Sequence, residues 1–247
     1  MEYPSGCYLD GDIIAYKVAF WVETNDPSLI PKKTKELVLK WSKFNKPLSE
    51  VCIALSCSRE DNFRRDIWPN YKVNRTDSYV PEYLKDVKDH IQEKYMVDTV
   101  DKLEADDILG IHAMDRIAIT IDKDLIGCEG WHFNPDKDNK PRYVTAEAAY
   151  RFFCKQWMMG DATDCIPGLW RVGPKKADKL LDEWPQDEWE DRIFEMYDEE
   201  KYQVKDPCNL SPKEVALAMA RCVKILDHNS WDYDTYEHTL WTPKSGS

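Results

Sequence analysis

The sequence predicts an α/β protein, with a mostly parallel central sheet flanked by helices and a helical C-terminal part. Three observations carry this expectation. Four short apolar runs of strand length, Cys7 to Leu9, Val51 to Leu55, Val97 to Val100 and Ile117 to Ile121, punctuate the first half of the chain. Between them lie stretches whose apolar residues recur every three or four positions, and strands alternating with helices build parallel sheets. After Thr145 the strand signals stop, and helical spacing continues almost to the end.

Each element follows from its residues. The first run ends at Asp10, and Ile13 to Trp21 continue in helical style. Val51-Cys-Ile-Ala-Leu55 is an unbroken apolar run, as a strand covered on both faces requires. Pro81 to Tyr95 reads as a helix with Leu84, Val87 and Ile91 along one face, and Glu104 to Met114 reads as another. Thr145 suits the cap of a helix running to Met159. Leu180, Leu181, Ile193, Phe194 and Val215 to Leu226 then supply apolar faces, before an aromatic-rich tail from Trp231 to Trp241.

Composition narrows the classes. With 247 residues, 43% apolar content, 10 Trp and 13 Tyr, the chain can bury a sizeable core as one large domain or two smaller ones. The N-terminus has no long apolar stretch, so neither a signal peptide nor a membrane span is expected, and the reading is a soluble cytoplasmic protein. Eight cysteines, Cys208 among them, lack any C-x-x-C pair, which argues against zinc and against a disulfide framework. They read as reduced, mostly buried thiols. The net charge of −12 opposes nucleic-acid binding only in sum. Segment 182–206 holds eleven acidic residues against Arg192, Lys201 and Lys205, whereas segment 171–179 sets Arg171, Lys175, Lys176 and Lys179 against Asp178 alone. Local sign decides what a surface attracts.

Four acidic groups stand at or just after apolar elements: Asp10 with Asp12, Glu104-Ala-Asp106-Asp107, Asp122-Lys-Asp124 and Asp161-Ala-Thr-Asp164. Singly, each is an ordinary helix cap or turn. In a parallel sheet, however, ligands gather at the carboxyl ends of strands, where Asp10, Ser56, Glu104 and Asp122 fall. Carboxylates converging there repel one another and need a divalent cation to offset the repulsion. All-oxygen ligation points to Mg²⁺, with Mn²⁺ as a substitute. Two such ions, about 3.5–4 Å apart, suit in-line attack on a phosphodiester.

Two further segments suit phosphate. In Gly160 to Ala177, Gly168 and Gly173 permit tight turns and Pro174 opens a helix whose free amides lie beside Lys175 and Lys176. This is the logic of a helix-hairpin-helix, which binds backbone without reading sequence. In Arg59 to Arg75, the residues Arg64, Arg65, Tyr71, Lys72 and Arg75 surround Trp68, a mixture suited to a frayed end held by charge and stacking. An anchored surface loop is the alternative for that stretch.

These motifs resemble those of the flap endonuclease and 5′→3′ exonuclease family, most nearly its bacteriophage members. The resemblance runs from about Tyr8 to Ala177. It rests on Leu9-Asp10-Gly11, Phe63-Arg64, Tyr71-Lys72-Val-Asn74-Arg75, the Glu104 and Asp122 groups, and Gly160-Asp161-x-x-Asp164-x-Ile166-Pro167-Gly168. It implies a PIN-like nuclease core over 1–158 with a short helical arch around 64–95, then a helix-three-turn-helix region and tail over 159–247. By it, Asp10, Glu104, Asp106 and Asp107 form a first metal site, and Asp122, Asp124, Asp161 and Asp164 form or support a second. Lys72 and Arg75 would act on the scissile phosphate. Tyr16 would stack a base, Arg64, Tyr71, Lys175 and Lys176 would hold DNA, and K⁺ would bind carbonyls near Gly168 to Gly173. The implied protein is a monomeric nuclease acting on 5′ ends, flaps or nicks of DNA in phage-type replication, repair or recombination, in the host cytoplasm if phage-encoded.

Two departures qualify this. Many members of the family it resembles place an Asp where Cys57 stands, and the familiar Asp-Asn-Ile-Pro-Gly reads Asp164-Cys165-Ile-Pro-Gly here. The 76–93 stretch is also more acidic than basic. Two other readings stay open: a PIN-type ribonuclease, and a catalytically weak binder of branched DNA.

Overall fold

The structure, a computed structural model, describes residues 3–44, 50–202, 204 and 209–244. Lys205 and Cys208 lie outside the described residues.

The chain forms two compact units, each assembled from separated segments. The first comprises Met1–Asn62, Tyr79–Ala146 and Ile225–Glu237, and the second Phe63–Ser78, Glu147–Lys224 and His238–Ser247. The sequence expectation is a single division between residues 158 and 159, whereas these units interleave along the chain. Residues 64–95, expected as one short arch, are likewise shared, with 64–78 in the second unit and 79–95 in the first.

The first unit is built on a six-stranded sheet in the order β3-β2-β1-β4-β5-β6. Its strands are β1 (Cys7–Asp10), β2 (Val51–Ala54), β3 (Met96–Asp98), β4 (Ile117–Ile119), β5 (Gly130–Phe133) and β6 (Arg142–Val144). All neighbours pair in parallel except β5 with β6, which are antiparallel. The expected α/β class with a mostly parallel sheet is thus what the chain forms. Strand order reverses between β1 and β4, and such a switch opens a crevice at the carboxyl ends of the two strands.

Helices α1 (Gly11–Glu23), α2 (Ile30–Trp41), α4 (Leu84–Lys94) and α5 (Ala105–His112) belong to this unit. Asp10 caps α1, its carboxylate accepting from the Ile13 amide at 3.0 Å. Gly11 lets that helix begin against β2, because a Cβ there would meet the Ala54 carbonyl at 2.5 Å. Ile14, Val18 and Val22 of α1, Val38 and Trp41 of α2, and Val87 and Ile91 of α4 share one core with Leu9, Ile53, Ile119 and Phe133. Burying such side chains contributes roughly 1.5–3 kcal/mol each. The sequence leaves α2, β5 and β6 unread.

The second unit is helical. It contains α3 (Phe63–Ile67), α6 (Ala146–Met159, from Glu147 onward), α7 (Pro174–Glu183), α8 (Trp189–Asp198) and α9 (Pro212–Val223). The two-residue strands β7 (Gly160–Asp161) and β8 (Ile166–Pro167) pair between α6 and α7. Ser211 and Glu214 close a reciprocal capping box at the start of α9, with Pro212 at its first position. Trp157, Met158, Ile193, Ala216 and Met219 centre the core, which also takes in Trp68 and Tyr71. Among the described residues seven cysteines are unbridged, five of them buried.

Candidate functional site

In the first unit Asp10 at the sheet switch has Asp12 and Asp122 as neighbours. Asp10 is buried, and besides capping α1 it accepts a hydrogen bond from the Thr120 hydroxyl at 2.7 Å. Burial, then the charge of Asp12, holds its carboxyl well above the usual carboxylate range, and Asp122 pushes the same way. Thr120 also accepts from the Asp122 amide at 3.0 Å, so one hydroxyl ties the loop after β4 to the end of β1. Asp122 Oδ1 in turn takes the Asp124 amide at 2.9 Å, and Asp124 opens a short 3₁₀ turn to Gly127.

Ser56 provides the second tie. Its amide donates to Asp12 Oδ2 at 3.2 Å, and its hydroxyl accepts from the Ala105 amide at 2.9 Å, at the first turn of α5. Glu104 caps that helix in a reciprocal box with Asp107. Asp106 stands half-buried on the same turn. Asp107 is wholly buried, one oxygen accepting from the Glu104 amide and the other from the Leu226 amide, each at 3.1 Å. Expected as a ligand, it also anchors the start of α5. Lys88 of α4 brings an ammonium to Asp12 at 2.5 Å.

Among the described residues no three His, Cys, Asp or Glu side chains close into a ready-made metal shell. The donors are nonetheless of the right kind. A desolvated carboxylate with like charges beside it and oxygen donors on neighbouring loops fits a hard divalent cation. Cys57 lies in the same surroundings. Burial, then the charges of Glu104 and Asp107, pushes its thiol up to about 11, so at neutral pH it stays protonated and supplies no thiolate. Asp61 nearby accepts from the Ser58 hydroxyl at 2.6 Å.

Tyr16 is 38% exposed on α1, and its ring begins a run of exposed aromatics. Phe20 follows at 6.2 Å between centroids, and Tyr79 lies 6.1 Å beyond Phe20.

In the second unit Asp164 is the hub. Arg75 reaches its Oδ1 at 2.5 Å, Lys72 its Oδ2 at 3.4 Å, and the Tyr71 hydroxyl donates to Oδ2 at 3.4 Å. The Lys72 amide donates to the Asp164 carbonyl at 2.8 Å. Lys72, Cys165 and Arg171 all take left-handed backbone, at φ 54, 55 and 61, a region that Asn tolerates better than other side chains. Backbone of that kind persists only where its surroundings hold it. Asp161 shapes its own turn, accepting from the Thr163 amide at 2.7 Å.

Two residues expected at the DNA surface are interior. Arg64 is 3% exposed and donates through Nε to the Cys222 carbonyl at 3.0 Å and through Nη2 to Lys224 at 2.9 Å, binding the open carbonyls at the end of α9. Tyr71 is buried in the same core. Their basic and aromatic character therefore supports the second unit from within.

Of the two glycines expected to permit tight turns, Gly168 sits where one is required, while Gly173 has extended backbone that any residue adopts. A Cβ on Gly168 would meet the Met159 carbonyl at 2.0 Å, so only glycine lets β8 return so close to α6. Gly173 caps α7 with nothing within 4 Å of its missing Cβ, which leaves the helix start open. Lys175 is exposed there, while Lys176 lies over the Tyr202 ring at 4.5 Å and donates to its hydroxyl at 3.1 Å. Thr120 is the site residue that the sequence reading does not single out, whereas Ser56 is already placed at a strand end. The available signal is a hydroxyl placed at the end of an otherwise apolar run.

No family model matches the chain. Solved structures do share its fold. The 5′-exonuclease of bacteriophage T5 with bound zinc superposes with a TM-score of 0.58 at 16% identity, over 89% of each chain. The T5 flap endonuclease in a pseudo-enzyme–product complex with DNA and metal ions gives 0.58 at 17% identity, covering 89% of this chain and 88% of that one. The catalytic core of Rad2 bound to a DNA substrate gives 0.51 at 15% identity, covering 97% of this chain and 83% of that one. The chain has the fold of these proteins.

Proposed function

We propose that the protein is a divalent-metal-dependent, structure-selective nuclease that hydrolyses phosphodiester bonds at 5′ ends, flaps or nicks of DNA. One observation carries the reading. Asp10 is a buried carboxylate at the sheet switch whose charged neighbours, Asp12 and Asp122, are also acidic. A divalent cation bound there would offset that repulsion. Asp10, Glu104, Asp106 and Asp122 are the candidate ligands, Mg²⁺ the candidate ion and Mn²⁺ its substitute. When bound, such ions supply Lewis acidity and charge neutralisation at the scissile phosphate.

The chain's own residues do the rest. Thr120 and Ser56 hold the carboxylate-bearing loops in place. Lys72 and Arg75 bring two positive charges for an anionic phosphate, and Asp164 sets their positions. Gly173, Lys175 and Lys176 offer duplex backbone an open helix start with two ammonium groups, and carbonyls near Gly168 could take K⁺. Tyr16 is exposed for stacking. The T5 and Rad2 structures contain DNA, which agrees with DNA as the substrate. The protonated Cys57 thiol, standing where relatives carry a carboxylate, favours a second reading as a branched-DNA binder with weak catalysis.

The test is incubation with 5′-flap, nicked and blunt DNA and matched RNA, with Mg²⁺ or with EDTA. Metal-dependent cutting of flap or nicked DNA is expected. Cutting of RNA alone would replace the reading by a ribonuclease, and EDTA-resistant binding without cutting by the second reading.

A further inference from the structure

Beside Asp122 the first unit holds a pocket of about 100 Å³ between the ends of β4 and β5 and the loop that follows β5. Its floor is buried: Ala118, His132 and Phe133 are each at most 5% exposed. Thr120 and Asp122 form the wall it shares with the carboxylate edge, and Lys123, Lys137 and Arg142 complete its lining.

The charges in this pocket do not cancel. His132 donates through Nε2 to the Cys128 carbonyl at 3.0 Å, since a carbonyl can only accept, and burial pushes the ring down to about 4, so it is neutral at physiological pH. Asp138 is occupied, accepting from the Asn134 amide at 2.8 Å and facing Arg142 at 3.7 Å. Lys123 and Lys137 have no ion pair among the described residues, although the whole chain carries a net charge of −12. Two uncommitted ammonium groups at one small cavity on an acidic protein call for an anion. Asp122 opposes that anion until its own charge is met by a cation, which ties occupancy of the pocket to occupancy of the carboxylate edge.

Size and closure select the ligand. A volume near that of three waters holds a tetrahedral oxyanion, whereas pockets for whole small molecules run to about 300 Å³ and more. A buried floor admits the end of a chain and not a backbone running through.

We infer that this pocket is a phosphomonoester subsite, in which Lys123 and Lys137 hold a dianionic phosphate next to Asp122. The inference rests on the nuclease reading for its substrate, and makes the enzyme one that distinguishes 5′-phosphorylated from 5′-hydroxyl ends. The same chemistry is offered by a DNA 5′ terminus, a released nucleotide 5′-monophosphate and inorganic phosphate.

The experiment uses the full chain with Mg²⁺ and has two readouts. Calorimetry measures binding of thymidine 5′-monophosphate, thymidine and inorganic phosphate. Kinetics measure KM and kcat on nicked DNA with 5′-phosphate or 5′-hydroxyl ends. Thymidine monophosphate is expected to bind about tenfold or more tighter than thymidine, and KM to be lower by a similar factor for phosphorylated ends. The exposed double substitution Lys123→Gln with Lys137→Gln should erase both differences and leave kcat on hydroxyl ends unchanged. Monophosphate binding without any effect of the DNA end supports the subsite and assigns it to released product, and binding of inorganic phosphate alone assigns it to the free ion. Absence of binding by all three probes overturns the inference, as does an equal loss on both kinds of end in the double variant. If no DNA is cut at all, the nuclease reading falls while calorimetry still decides the pocket.

Discussion

Asp10 and Asp164 share one motif-level expectation, metal ligation, yet the two units treat them in opposite ways. Asp10 is buried with acidic neighbours and is stabilised by an amide and a hydroxyl, neither of which carries charge. Asp164 faces two cations and a phenol within its own unit. A carboxylate surrounded by like charge is a liability to the fold and a resource for binding a cation from outside. One that already has cations organises them. The contrast separates residues that should bind metal from residues that should hold the groups acting on phosphate.

Four substitutions sharpen or break this contrast, in order of expected effect on stability. Arg64→Ala removes two hydrogen bonds from a buried guanidinium to the carbonyls closing α9, and should cost about 3 kcal/mol in urea unfolding. A change below 1 kcal/mol would return Arg64 to the DNA surface. Asp164→Asn removes one charge partner from the largely buried Lys72, and should cost about 2 kcal/mol, a figure lowered because Arg75 is 43% exposed. Asp10→Asn should act with the opposite sign. It keeps a side-chain acceptor for the cap and removes repulsion, so stability without metal should rise by about 1 kcal/mol, or roughly 2–4 °C in Tm. Cleavage should fall about 100-fold or more with it. A loss of stability in Asp10→Asn would mean that the cluster holds the fold together. Lys175→Ala should leave stability within about 0.5 kcal/mol while reducing the salt dependence of duplex binding by about one unit of slope, measured by fluorescence anisotropy across salt concentrations.

Much of this was legible from residues alone, for identifiable reasons. Strands β1, β2 and β4 announce themselves because strands covered on both faces are unbroken apolar runs. β5 and β6 do not: Gly130-Trp-His-Phe133 and Arg142-Tyr-Val144 are short, mixed in polarity, and become strands by pairing with residues already placed. Helix α2 carries a readable face in Ile30, Thr34, Val38 and Trp41, but Pro31 and four lysines obscure it. The carboxylates were readable because each ends an element. What they touch was not. Arg64 shows charge in the sequence, while its partners lie 158 and 160 residues away, and no local pattern distinguishes a guanidinium bound to carbonyls from one waiting for phosphate. Asp107 is the acidic counterpart, read as a ligand beside Glu104 and Asp106 but committed to two backbone amides, one of them 119 residues distant. The interleaved units follow from the same long-range ties, which a reading by local composition cannot place.

The central claim, that the edge bearing Asp10 is built to hold a divalent cation, is tested most directly by calorimetric titration of the full chain and of Asp10→Asn with Mg²⁺. Saturable binding by the wild-type chain, lost in the variant while its fold and thermal transition persist, is the predicted result. Equal binding by both proteins, or no binding by the wild-type chain, would contradict it.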